Sequence, residues 1–341
     1  MRWTLLAGLL VGLMPLAVLA APPTVPGDDL PEIPMARFAE ETLPGGPGKD
    51  GIPAIDEPQF VAADGAGDWL ADGDIIFGVV LDGHARAYPQ RVLVWHEIVN
   101  DRLAGQPVSV TYCPLTATAI GFHRGGTTLG VSGNLVNSNL VMYDRATDSR
   151  WPQILGAAVK GEHKGRRLEE FRVIWTTWAR WREAHPDTDV LSTDTGYFRN
   201  YERDPYGGYN PTSGYYDGGG PAFPVMRRDE RLPAKHMVMG ARTQAGAVAF
   251  DKSVLRRQGL LEADVGGERF VAVYDPALDT GYVYRVPPEW TGRYEDGAVV
   301  TDDGGHAPGD LPLERVNVMD AFWFAWAAFY PDTTLVGGKS A

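Results

Sequence analysis

Apolar and polar positions in this 341-residue chain alternate in short bursts, the period of strands, far more often than they recur every three or four residues. Residues 75–88 read IIFGVVLDGHARAY, two β-rich stretches joined at Asp82-Gly83, and predict a tight hairpin. Pro89 predicts the start of a short helix running toward His96. Strands are expected over 107–113 and 118–123, with Tyr112-Cys113-Pro114 at their junction, and over 127–132 and 139–144. A helix is expected from Thr177 to Ala184, stopped by Pro186, with Trp178 and Trp181 on one face.

The pattern occurs twice. VSVTYCPLTATAIGF (108–122) overlies FVAVYDPALDTGYVY (270–284), which sets Tyr112 on Tyr274, Pro114 on Pro276 and Thr118 on Thr280. The same offset sets Gly78, Tyr88 and Leu93 on Gly240, Phe250 and Leu255. Further on, WARWREAHPDT (178–188) overlies WFAWAAFYPDT (323–333) at a smaller offset, because the second copy lacks a counterpart of VSGNLVNSNLVMYDR. The fold class expected is α+β, mainly β: two related copies of one β-rich unit, residues 75–195 and 237–341, each closed by a Trp-rich helix. Residues 22–74 read as an extended N-terminal arm. Residues 196–236 read as a Tyr/Gly-rich connecting loop, long enough to cover a site.

The two copies part company at polar positions. His96 meets Gln258, Glu97 meets Gly259, Asn100 meets Glu262 and Cys113 meets Asp275. A scaffold that survives the loss of a polar set did not need that set to fold, so candidate chemistry belongs to the first copy and the second reads as degenerate.

Charge and the N-terminus narrow the setting. Arg2 precedes an apolar run from Leu5 to Leu19, broken at Pro15 and ending in Ala20-Ala21, which predicts a signal peptide over 1–21 and export to the periplasm or the extracellular space. No later stretch is apolar enough to span a bilayer. A formal charge of −13 repels phosphate backbones and argues against nucleic acid as a partner. Cys113 is the single cysteine, so no internal disulfide forms, and its thiol is buried and inert, metal-bound or reactive.

An imidazolium or a metal would ionise Cys113, and His96 is the candidate partner. If His96-Glu97-Ile98-Val99-Asn100-Asp101 is helical, His96 and Asn100 share a face and Glu97 and Asp101 an adjacent one. As a strand, NSNLVMYDR sets Asn137, Asn139 and Tyr143 on one face and Met142 and Asp144 on the other. Two readings follow. In the first, Cys113 and His96 bind a small molecule or a transition-metal ion. Glu97, Asn100, Asp101, Asn137, Asn139 and Tyr143 serve as ligand contacts, and Met142 and Asp144 as further metal ligands. A sulfur-rich set of that kind favours copper. In the second, the chain is a thiol-dependent enzyme in which Cys113 attacks an acyl or sulfur centre, His96 is the base, and Asn100 or Asn137 orients it.

The phrases GKDGIPAIDEP (48–58), ARAYP (85–89), WHEIVND (95–101), VTYCPLTATA (110–119), NSNLVMYDR (137–145) and FWFAWAAFYPDT (322–333) together resemble a bacterial family catalogued as domain of unknown function 3179. The resemblance spans nearly all of the chain after the leader and implies no activity. Members often look like Cys-Pro-Leu-Cys where this chain has Cys113-Pro114-Leu115-Thr116, so a resolving thiol is lacking here.

Overall fold

Asp82 and Gly83 both adopt left-handed backbone, φ 48° and 78°, the geometry whose twist matches the strands it joins. The hairpin they close, Ile75–Leu81 with His84–Pro89, is the centre of a five-stranded sheet in a computed structural model that describes residues 20–27 and 34–338. Ile174–Thr177 adds antiparallel on one side of it, Asp189–Leu191 adds parallel on the other, and Phe60–Ala62 forms the edge. A second sheet has Met237–Thr243 and Gly246–Asp251 at its centre, Val318–Phe322 antiparallel on one side and Thr334–Val336 parallel on the other.

Two further sheets of four strands lie beside these. One runs Ile98–Leu103, Gln106–Cys113, Thr118–His123 and Glu170–Phe171; the other runs Leu260–Val265, Glu268–Asp275, Thr280–Val286 and Glu314–Val316. Helices among the described residues are few and short, so the architecture is α+β and mainly β. None is long and apolar enough to cross a membrane.

The helices Trp178–Ala184 and Trp323–Phe329 each lay an indole on a glycine. A Cβ on Gly78 would run into the Trp181 ring, and one on Gly240 into the Trp326 ring, so each indole occupies the space a side chain would need. Their indole N–H groups donate to Thr188 (3.0 Å) and Thr333 (2.9 Å). Both rings are fully buried and anchor the helix to the sheet.

Three expectations need correction or refinement. The run from His96 to Asp101 is not helical: a helix covers only Gln90–Leu93, and the β-branched Ile98 and Val99 open the strand Ile98–Leu103, so His96 and Asn100 share no helical face. Asn137 and Ser138, at φ 52° and 63°, are the two-residue turn between Leu129–Val136 and Asn139–Asp144, and a register shift between Val141 and Met142 breaks the simple alternation. Within the arm, the helix Met35–Glu40 buries Phe38 against Phe329, ring centroids 5.4 Å apart. Residues 1–19, most of the expected leader, lie outside the described residues.

Candidate functional site

Cys113 is the last residue of its strand, and Pro114 turns the chain so that the Thr116 N–H donates back to the Cys113 carbonyl at 3.3 Å. The Thr116 carbonyl in turn accepts from Phe322 N at 2.9 Å, which ties the turn to the second half. The sulfur accepts from Leu140 N at 3.4 Å and lies 4.0 Å from the Ser138 carbonyl. Both contacts come from the hairpin Leu129–Val136 and Asn139–Asp144. Cys113 is 1% exposed, and burial, reinforced by the charge of Glu97, pushes its thiol up to about 11. At neutral pH it is a thiol and not a thiolate.

His96 is not its hydrogen-bond partner. Nδ1 donates to the Pro53 carbonyl at 2.8 Å, a pure acceptor, which leaves Nε2 to accept from Tyr201 Oη at 2.7 Å. Burial pulls the imidazole down to about 4, so it stays neutral. Both ring nitrogens are thus spent on joining the arm and the connecting loop to this face, and no base remains for Cys113. His96→Ala is expected to destabilise the fold by about 3 kcal/mol through the cavity and the two lost bonds. It should leave the pH dependence of Cys113 alkylation unchanged, measured as iodoacetamide rates; a slowed reaction would restore the thiol–imidazole pair.

Glu97 is the group whose field reaches the sulfur. The residue is 6% exposed, its carboxyl makes no hydrogen bond among the described residues, and burial pushes it up to about 8. Its backbone is left-handed at φ 59°, which costs a residue with a Cβ roughly 1–2 kcal/mol. The local hydrogen bonds explain why the chain turns here. Glu97 N donates to Leu93 O at 2.7 Å, and Tyr112 N donates to Glu97 O at 2.7 Å.

The corresponding bonds in the second half are Gly259 N to Leu255 O and Tyr274 N to Gly259 O, both 2.8 Å, with Gly259 at φ 78°. Glycine takes this conformation without cost. Glu97 makes the same kind of turn with a side chain, at a cost in backbone strain and in carboxyl desolvation with no bond in return. Retained strain of this kind concentrates at functional sites. Nearby, Asp275 accepts from Ala277 N (2.9 Å) and Leu278 N (3.3 Å) of its own turn, and Gln258 is exposed.

Tyrosines of the connecting loop cover this place. Tyr215 Oη donates to Leu115 O at 2.8 Å, Tyr209 and Tyr216 stack at 3.8 Å, and their hydroxyls lie 3.0 and 3.3 Å from Tyr112 Oη. Asp204 accepts from Gln90 (2.8 Å) and from Tyr216 (3.1 Å) and pins the loop. Tyr206 is raised first by burial and then by the charges of Glu97 and Cys113, and its hydroxyl makes no hydrogen bond among the described residues. The charges of Glu97 and Cys113 both act on Tyr206. The sequence draws notice to the loop's tyrosines but not to this meeting.

The remaining candidates serve the scaffold. Asn100 donates to Asp56 and Leu129 O and accepts from Ser109 and Leu129 N, while Asp101 pairs with Arg86 at 2.7 Å and accepts from Tyr88 at 2.7 Å. Asn137 donates to Ala328 O and accepts from Met226 N, and Asn139 bonds Thr116, Gln153 and Ile154 N. Thr116 joins Thr118 at 2.8 Å. Tyr143 donates to Asp50, with Lys49 over its ring at 4.0 Å. Asp144 accepts from Thr147, Ser149 and Trp151 of its own hairpin, and Met142 is fully buried. Among the described residues no three His, Cys, Asp or Glu side chains converge as a metal site would require, so the expected set of Cys113, His96, Met142 and Asp144 lacks its ligand geometry.

The sequence profile of the family described as Protein of unknown function (DUF3179) matches residues 49–333. No curated protein and no solved structure matches the chain.

Proposed function

The chain belongs to this family of proteins of unknown function, and on that premise we propose that it is an exported protein with a ligand-binding site between Cys113 and Glu97, beneath the tyrosines of residues 196–236. The observation that carries this reading is Glu97: a left-handed, nearly buried carboxyl without a hydrogen bond, where the second half has Gly259. An unpaired buried polar group is costly to a folded chain, and a ligand that hydrogen-bonds to it recovers that cost. In this reading the two halves are copies of one unit, each closed by a Trp-bearing helix, and the second copy supports the first. The like pairing order of their sheets and the Gly78–Trp181 and Gly240–Trp326 contacts support it.

A thiol enzyme is the weaker reading. With Glu97 near 8 and Cys113 near 11, moving the thiol proton to the carboxylate is uphill by about 4 kcal/mol. Glu97 is better suited to donate a hydrogen bond than to activate a nucleophile.

Alkylation tests the site. Native Cys113 should react with iodoacetamide faster than the chain unfolds, with a rate that climbs into the alkaline range. In Glu97→Gln the climb should move to lower pH, because the carboxylate that opposes thiol ionisation is gone. A cysteine that reacts only upon unfolding would refute the site. Export is checked separately by mass spectrometry of the chain from the cell envelope and the medium. A mature N-terminus at or beside Pro22, just past Ala20-Ala21, is expected there, and an intact Met1 would refute cleavage.

A further inference from the structure

We infer that the polar cavity between Gln90 and the loop residues 201–210 binds a small protonated amine, whose N–H groups are taken by Gln90 Oε1 and the carboxylates of Asp204 and Glu202. This goes beyond the reading above and uses neither Cys113 nor Glu97. The cavity measures about 180 Å³, and its walls include Asp74, Gln90, Arg91, Glu202, Asp204 and Tyr209. Three carboxylates there meet a single guanidinium. Arg91 is already matched, because it pairs with Asp74 at 3.0 Å, and Asp74 also accepts from Ala71 N at 2.8 Å. Asp204 and Glu202 make no ion pair among the described residues, so two negative charges stand without a counter-charge.

Asp204 is fixed in place by neutral donors. It is half-buried and accepts from Gln90 Nε2 at 2.8 Å, Tyr216 Oη at 3.1 Å and Tyr206 N at 2.7 Å, bonds that orient the carboxylate and leave its charge intact. The first of them also sets the Gln90 amide, since only its NH₂ end can donate to a carboxylate. A second bond from Nε2 reaches Tyr112 Oη at 3.3 Å. Gln90 is only 7% exposed, and its Oε1, attached to the same carbon as the nitrogen that meets Asp204, accepts no bond among the described residues. A buried amide oxygen lacking a donor thus lies next to a carboxylate lacking a cation. An ammonium supplies both at once, with three donors and one positive charge.

A metal ion fits less well, because no three His, Cys, Asp or Glu side chains among the described residues converge as its ligands. Size sets the rest of the ligand. A cavity of about 150 Å³ is enough for benzene, so this one admits an amine of about six heavy atoms. Arg91, Tyr201 and Glu202 also line a wider cleft of about 620 Å³ that includes Trp69, where a longer tail has room to continue.

n-Butylamine, protonated at neutral pH, is the probe, and chemical-shift titration of the full chain reads its binding. 1-Butanol matches its size without the charge, and butyrate reverses the charge. Butylammonium should bind saturably and at least about tenfold tighter than 1-butanol, because hydrogen bonds to ionised groups outweigh neutral ones, and butyrate should not bind. Asp204→Asn should weaken butylammonium at least about tenfold, and Glu202→Gln about threefold, the exposed carboxylate counting for less. Glu202 is on the surface, so its variant keeps the fold and decides the matter alone if Asp204→Asn does not fold. Equal affinity for butylammonium and 1-butanol would mean an apolar pocket and overturn the inference. So would butylammonium binding that the folded variants leave unchanged, which would place the amine elsewhere on an acidic surface, and so would the absence of saturable binding.

Discussion

Glu97→Gln is expected to stabilise the protein by several kcal/mol at pH 9 and by almost nothing at pH 4. The carboxyl is pushed up from its ordinary 4.5 to about 8 in the folded state, so between those values the native chain holds a proton that the unfolded chain has released. Stability then falls as pH rises through that window, because the folded state binds more protons there. The full fall amounts to about 5 kcal/mol, reached above pH 8. Glutamine keeps the shape and a donor but has no proton to lose, and so removes the slope.

His96 works in the opposite direction. Its imidazole is pulled down from 6.5 to about 4, so the unfolded chain binds the extra proton and stability falls as pH drops from 6.5 toward 4. That contribution is common to wild type and variant and cancels in their difference. Urea unfolding of both proteins from pH 4 to 9 measures the effect. Parallel curves would mean that Glu97 is solvated and ionised like a surface carboxylate, and the proposed site would lose its central group.

Trp181→Ala and Trp326→Ala should each cost about 3–5 kcal/mol, the range for removing a large buried aromatic ring. Each loses the contact with its glycine and the bond to Thr188 or Thr333. Gly78→Ala should also destabilise, because its new Cβ would overlap the Trp181 ring. Combined with Trp181→Ala, the same glycine change should cost far less than it does alone, since the vacated space accepts the methyl group. Chemical denaturation of wild type, the two single variants and the double variant gives the coupling directly. Strict additivity would mean that ring and glycine do not compete for one volume.

Much of the architecture was legible in the chain. The left-handed preference of Asp82-Gly83, the alternation on either side of it and the Tyr-x-Pro junctions announce local geometry through nearest-neighbour sterics, and the strands appear where those signals put them. The segment after Pro89 was ambiguous. Its polar spacing allows a helix, while Ile98 and Val99 favour a strand, and pairing with Gln106–Cys113 decides between them.

The alignment of Glu97 with Gly259 was also present in the sequence, but its meaning was not. Only the left-handed φ shared by the two positions reveals that glutamate stands where glycine is at ease. The partner of Cys113 could not be read at all, since proximity in number favoured His96. Folding sends that imidazole to Pro53, 43 residues away, and to Tyr201, 105 away, while the charge of Glu97 acts on the sulfur. Local sterics and periodicity determine strands and turns because they act between neighbours in the chain. Which polar groups meet in a closed space depends on contacts between distant segments, and those exist only once the sheets, the hairpin and the tyrosine loop have packed together.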